Sequence, residues 1–303
     1  MSKGVHRFAL LVAGATFFLI IAGALVTSND AGLATSDWPR SNGQWFPKMV
    51  GNLFWEHGHR IVATSVGLLT IGLVIYLFWR EPRHWVRRLG LIALAGVIAQ
   101  GLLGGLTVKL NLPLAVSTAH ATLAQLFFCA TVSLAVFTSP SWVQASPAGP
   151  GSQPVRYLCL AATATIFLQL ILGATLRHSA TWDQALPTDL LLSHIGGAIV
   201  VMVLLAGACV TILVRFSGNT FLTRPAKLGL ALLAAQLLLG LLAYVTRTAS
   251  PNDPQPLNPM IEVTVAHVAT GALVFADTIV LTLRVLRATR AESRAFTLEA
   301  ALS

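Results

Sequence analysis

Charge is scarce in this chain. Asp, Glu, Lys and Arg make up only 10% of its 303 residues, against 55% hydrophobic residues, a balance that would leave a water-soluble domain covered in apolar patches. That excludes a soluble globular fold. The apolar runs are roughly 18–25 residues long, enough to cross a hydrocarbon core of about 30 Å as helices, whereas barrel strands alternate and are about half as long. Eight such helices are expected, at about 8–27, 56–79, 89–108, 114–138, 157–176, 189–214, 226–246 and 261–284. The fold class is therefore all-α integral membrane.

Cysteine is scarce too. Cys129, Cys159 and Cys209 fall in three different expected helices, with neither CxxC nor metal-ligand spacing. Each is expected to act as a small hydrophobe. The expected outer loops contain no cysteine, which rules out a disulfide there.

Acids are outnumbered, 11 against 20 Lys and Arg, for a net charge of +9. A basic balance invites nucleic acid as a partner, but the distribution explains it as membrane topology. Fourteen of the 20 basic residues, from Lys3 and Arg7 through Arg80, Arg83, Arg87 and Arg88 to Arg290 and Arg294, share one side. Arg40, Lys48, Arg60, Lys109, Arg177 and Arg247 lie on the other. The positive-inside rule then places both termini in the cytoplasm of a multi-pass protein of the cytoplasmic membrane. The first apolar run reads as a retained helix rather than a signal peptide.

What the chain does have is an internal repeat. "QGLLG" (100–104), "QLILG" (169–173) and "QLLLG" (236–240) share a Gln and a Gly four apart, and "LIIAG" (19–23) carries Leu in place of the Gln. This spacing puts both residues on one helix face, where Gly permits close approach and Gln can bond across an interface. A tandem duplication is implied, giving two pseudo-symmetric four-helix bundles. The expected division is 1–140, a Pro-, Ser- and Gly-rich cytoplasmic linker at 141–156, and 157–303.

Four of the eight histidines obey the same repeat. His59, His120, His194 and His267 lie in the even-numbered helices, the last three about six residues in, or about 9 Å at 1.5 Å per residue, with His59 level with them. Each half thus has one His on each of two facing helices at matched depth. A zinc ion would ask for three or four ligands, and no repeated Cys or carboxylate accompanies each pair. Two axial imidazoles suit a haem in the centre of a four-helix unit. Ala119, Ala121, Gly196, Gly197, Ala266 and Ala269 leave room for a flat ring. Arg60, Arg177 and Arg247, at the outer ends, suit haem propionates or interfacial water equally.

These features resemble the haem A synthases, or haem O oxygenases, of cytochrome oxidase biogenesis. The resemblance spans the chain: eight helices with histidines at equivalent places, "EHGHR" (56–60) similar to a Glu-x-x-His-Arg at the start of helix two, and "AGLATSDWPRSNGQ" (31–44) similar to a first outer loop of the form G-L-S-C-P-D-W-P-L-C-N-G. The resemblance implies oxidation of the C8 methyl of haem O to the formyl of haem A by successive hydroxylations. It further implies that His59 and His120 bracket the substrate haem O in the N-terminal half and that His194 and His267 ligate a haem b in the C-terminal half. Glu56 is the expected catalytic carboxylate beside His59 and His120. A haem O synthase is an implied partner, and the electron donor is unknown. Where many relatives carry two loop cysteines, this chain has Thr35 and Ser41, so a disulfide redox step is absent.

Two other functions fit the histidines alone: a di-haem electron-transfer protein with four permanent ligands, and a non-enzymatic haem carrier. Glu56 and the recognisable loop favour the enzyme. Asp37 and Trp38 are expected in a loop that lids the substrate or simply turns. His57, about 200° around the helix from His59, is expected at the interface. His6, His84 and His178 are expected in solvent, and Asp277 toward the inner half as a structural partner or proton route.

Overall fold

The computed structural model describes residues 3–145, 153–179, 185–249 and 256–302, with side chains to 289. Eight helices among them are long and apolar enough to cross a membrane. They are α1 (Lys3–Ser28), α2 (Asn52–Arg80), α3 (His84–Lys109), α4 (Leu114–Phe137), α5 (Gln153–His178), α6 (Thr188–Arg215), α7 (Thr220–Thr248) and α8 (Asn258–Leu302). A single helical turn, Pro140–Val143, follows α4. Residues 146–152 of the expected linker lie outside the described residues.

Apolar side chains cover the outside of these helices as well as the inside. Along α2, Ile61, Leu68, Ile71, Ile75 and Phe78 are exposed, a stripe at helical spacing that only lipid would solvate favourably. Hydroxyls within the spans return to the carbonyl one turn back, as Thr16 does to Val12 at 2.7 Å, Thr70 to Val66 at 2.8 Å and Thr278 to Val274 at 2.7 Å. Such bonds satisfy a hydroxyl within an apolar layer; Ser117 and Thr118 of α4 are exceptions, their hydroxyls buried without a partner.

Helices adjacent in sequence pack together, and one further contact closes each set of four. In the first set α1 meets α2 and α4, and α3 meets α2 and α4; in the second, α5 meets α6 and α8, and α7 meets α6 and α8. The sets join through α1, α4, α5 and α8. Val12, Val66, Leu73, Leu77, Phe127 and Leu134 fill one core. The other takes Ile20, Phe128 and Cys129 from the first set together with Cys159, Leu205, Cys209 and Leu281 of the second. All three cysteines are buried and unpaired, in agreement with their reading as small hydrophobes.

The connection between α2 and α3 is short and pinned. Glu81 caps α2 and is buried; Arg83 donates to it from Nε at 2.6 Å and from a terminal nitrogen at 2.9 Å, and reaches the Phe137 carbonyl at 2.9 Å. Burial alone would raise the Glu81 carboxyl, but Arg83 holds it below its usual range.

Candidate functional site

The four repeated glycines explain the four repeated histidines. A Cβ placed on Gly23 would lie 3.1 Å from Cε1 of His59, on Gly104 3.0 Å from that of His120, on Gly173 2.9 Å from that of His194, and on Gly240 3.0 Å from that of His267. Each glycine of an odd helix thus makes room for the imidazole of the next even helix. The histidines fall seven, six, six and nine residues past the first residue of α2, α4, α6 and α8, so His120 and His194 lie as far into their helices as expected and His267 lies farther.

Three glutamines complete the pattern. Gln100 donates to the His120 carbonyl at 3.0 Å and lies 3.4 Å from its ring. Gln169 donates to the His194 carbonyl at 2.7 Å and bonds its ring at 3.0 Å; Gln236 lies 3.3 Å from the His267 ring. Sequence reading saw the Gln and Gly as helix-packing residues and missed their partner. The signal available was that Gln, Gly and His repeat together. Gly197 is not kept small for a flat ring alone, because a Cβ there would fall 2.1 Å from Oε1 of Gln169, and Gly271 likewise faces Gln236 at 3.1 Å.

Do these residues fit a haem? The ring centroids of His194 and His267 are 6.4 Å apart, with planes at 76°. Two metal–nitrogen bonds of about 2 Å plus the two ring half-widths give such a separation. Nδ1 of His59, His120 and His267 is buried without a hydrogen-bond partner, an arrangement that costs free energy unless something else engages the ring. Among the described residues, no three His, Cys, Asp or Glu side chains converge, and His194 and His267 are the two imidazoles that stand as a pair. The residues fit a bis-imidazole haem.

Over the first pair lies the loop 29–51, and the start of α2 holds it. α2 begins at Asn52, four residues before the expected boundary, so Glu56 and His57 sit under the loop rather than at a wet helix mouth; both are buried. Glu56 accepts from the Thr35 N–H at 2.9 Å and pairs with Arg60. Arg60 also donates to the carbonyls of Asp37 at 2.9 Å and Arg40 at 2.8 Å, and to Ser41 Oγ at 3.1 Å. His57 shares a 2.8 Å hydrogen bond with Ser41 Oγ, which overturns its reading as an interfacial bystander. Thr35 and Ser41, where cysteines were expected from the resemblance, are hydrogen-bond nodes: the Thr35 hydroxyl accepts from Asn42 N at 3.2 Å and Asp37 N at 3.3 Å. Trp38 covers Gly105, whose Cβ would fall 2.6 Å from the indole, beside the glycine that receives His120.

The remaining expected residues are more scattered. Arg177 donates to Ser28 Oγ at 3.4 Å and lies within electrostatic range of Arg247 and Asp30. His84 is exposed as expected, His178 is half-buried, and His6 is half-buried and bonded to the Ala135 carbonyl at 3.0 Å. Asp277 is buried in α8, with Oδ2 unpartnered beside Gly229. It lines a cavity of about 810 Å³ shared with Asn219, Arg224 and Arg284, away from the four histidines.

Eight apolar spans, with a histidine packed on a glycine in each consecutive pair, define a polytopic membrane protein. Comparison with known proteins supplies the rest. A family model described as "Cytochrome oxidase assembly protein" matches residues 48–188. The chain is similar to the "Heme A synthase" of Geobacillus kaustophilus, 25% identical over 268 residues, which are 82% of this chain and 84% of that protein. It is also similar to those of Caulobacter vibrioides, 33% identical over 45% of this chain and 41% of that one, and Roseobacter denitrificans, 35% identical over 41% and 34%. The model match and the two relatives above 30% identity each span less than half of this chain, and the relative that spans most of it is 25% identical.

Proposed function

We propose that the protein is a haem A synthase, an oxidoreductase that converts the C8 methyl of haem O into the formyl of haem A by successive hydroxylations. The observation that carries this reading is the fourfold Gly–His packing, joined in one half to a buried Glu56 under a clamped loop. The halves are proposed as a duplication: 1–140 takes haem O, and 157–303 holds a haem b. Bound haem supplies the redox chemistry. His59 and His120 position the substrate; His194 and His267 hold the second haem.

Glu56 presents its carboxylate one turn from His59 on the same helix face. There it can accept a proton or balance positive charge as the methyl is oxidised. The loop above, tied by Arg60 and His57, keeps water from that side. Arg60 serves this loop first, so the propionates in the second half fall to Arg177 and Arg247. The open apolar groove of about 730 Å³ between α3, α4 and α5, which reaches Ala119 next to His120, suits the long farnesyl tail that haem O carries.

The protein is placed in the cytoplasmic membrane with both termini inside, near a haem O synthase that supplies its substrate. Electrons arrive from a donor other than a loop disulfide, because Thr35 and Ser41 carry no thiol. Co-production with a haem O synthase and chromatography of the extracted haems tests the reading. Haem A is expected; accumulation of haem O alone, with folded protein and a competent reductant, would contradict it and favour the di-haem electron carrier.

A further inference from the structure

The four histidines are alike except at one point. His120, His194 and His267 each have a glutamine one turn before the facing glycine, and that glutamine bonds the histidine carbonyl, ring or both. At the fourth position the corresponding residue is Leu19, which is buried and cannot donate. His59 is thus packed against Gly23 and, among the described residues, has no amide to orient it; its Nδ1 is buried and unpartnered, as are those of His120 and His267. Its helix turn instead carries the groups that close the loop, Glu56, His57 and Arg60.

We propose that His59 is the exchangeable ligand of the four, the one that releases when a haem enters or leaves, while His120, His194 and His267 stay in place. The inference rests on the haem A synthase reading of the first half. An enzyme whose substrate is itself a haem must let go of its product, and a ligand without a second anchor rotates away at lower cost than one held by an amide. Because Glu56 and Arg60 flank His59 and bond the loop, opening of the loop and release of His59 draw on the same turn of α2. Leu19 is then a positioning residue by omission: it leaves His59 unanchored.

The test is the binding of carbon monoxide to the ferrous, haem-loaded full-length protein, followed by its absorption spectrum. A six-coordinate haem takes CO only at the rate at which one axial ligand leaves. A His194→Ala, His267→Ala background removes the second haem, so that only the first site reports. There, CO is expected to bind readily in the parent and roughly three- to tenfold more slowly in Leu19→Gln, the value of one ordinary hydrogen bond. Gln100→Leu, which unanchors His120, is expected to accelerate it, and this variant keeps the test informative where Leu19→Gln misfolds. His59→Ala should retain the haem through His120 and bind CO at once; His120→Ala should lose it. Equal rates in the parent, Leu19→Gln and Gln100→Leu, or haem retained in His120→Ala but lost in His59→Ala, would overturn the proposal. Failure of that background to bind haem O at all would instead sink the substrate-site reading on which it rests.

Discussion

The first and second halves of this protein place the same imidazoles against the same glycines but surround them differently. In the second half both histidines are held by amides, from Gln169 and Gln236, and their rings stand 6.4 Å apart. In the first half only His120 is so held, and a buried acid, Glu56, lies one turn from its partner beneath a loop fastened by Arg60 and His57. On the proposed function, the difference reads as a division of labour. A resident cofactor calls for two fixed ligands, whereas a substrate calls for a reactive carboxylate, a cover and a ligand that can yield.

The comparison breaks most visibly at Glu56. Glu56→Gln keeps the shape and most hydrogen bonds but removes the charge, and conversion of haem O is expected to fall by at least two orders of magnitude while the second-half haem spectrum stays intact. Loss of that spectrum would contradict the separation of the halves. Next in size, Gly240→Val forces side-chain atoms into the space of the His267 ring, where even a Cβ would lie 3.0 Å from Cε1. Purified protein should then lose the second-half haem, read from the haem-to-protein ratio, and Gly104→Val should do the same only for the first.

A smaller effect sharpens the contrast in the loop. Ser41→Ala removes a hydroxyl that serves both His57 and Arg60, which should loosen residues 29–51 by about 1–3 kcal/mol and raise their cleavage by an added protease, with little change in the second half. Smallest of all, Glu81→Gln lies far from either site. The folded carboxyl is held below its ordinary value by Arg83, so its contribution to stability is present at neutral pH and is lost as pH falls through that lowered value. The thermal midpoints of the parent and Glu81→Gln should therefore differ at pH 7 and converge in acid.

The eight spans were legible because uninterrupted apolar runs are the strongest signal a sequence carries, and the fourfold placement of His59, His120, His194 and His267 because they share a repeat. What escaped depends on contacts between distant segments. His57 looks like a rim residue until the loop folds back to bring Ser41 within 2.8 Å of its ring. Gln100, Gln169 and Gln236 look like helix-packing residues until the neighbouring helix sets a histidine beside each of them. α2 starts at Asn52 rather than Glu56 because the polar stretch 56–60 separates Leu53, Phe54 and Trp55 from the main apolar run without breaking the helix.

The central claim, one replaceable haem and one resident haem in a single chain, is tested most directly by the haems extracted from purified protein made alongside a haem O synthase. The wild type is predicted to release haem b together with haem A, and Glu56→Gln to release haem b together with haem O. A single haem species in both preparations would contradict the account.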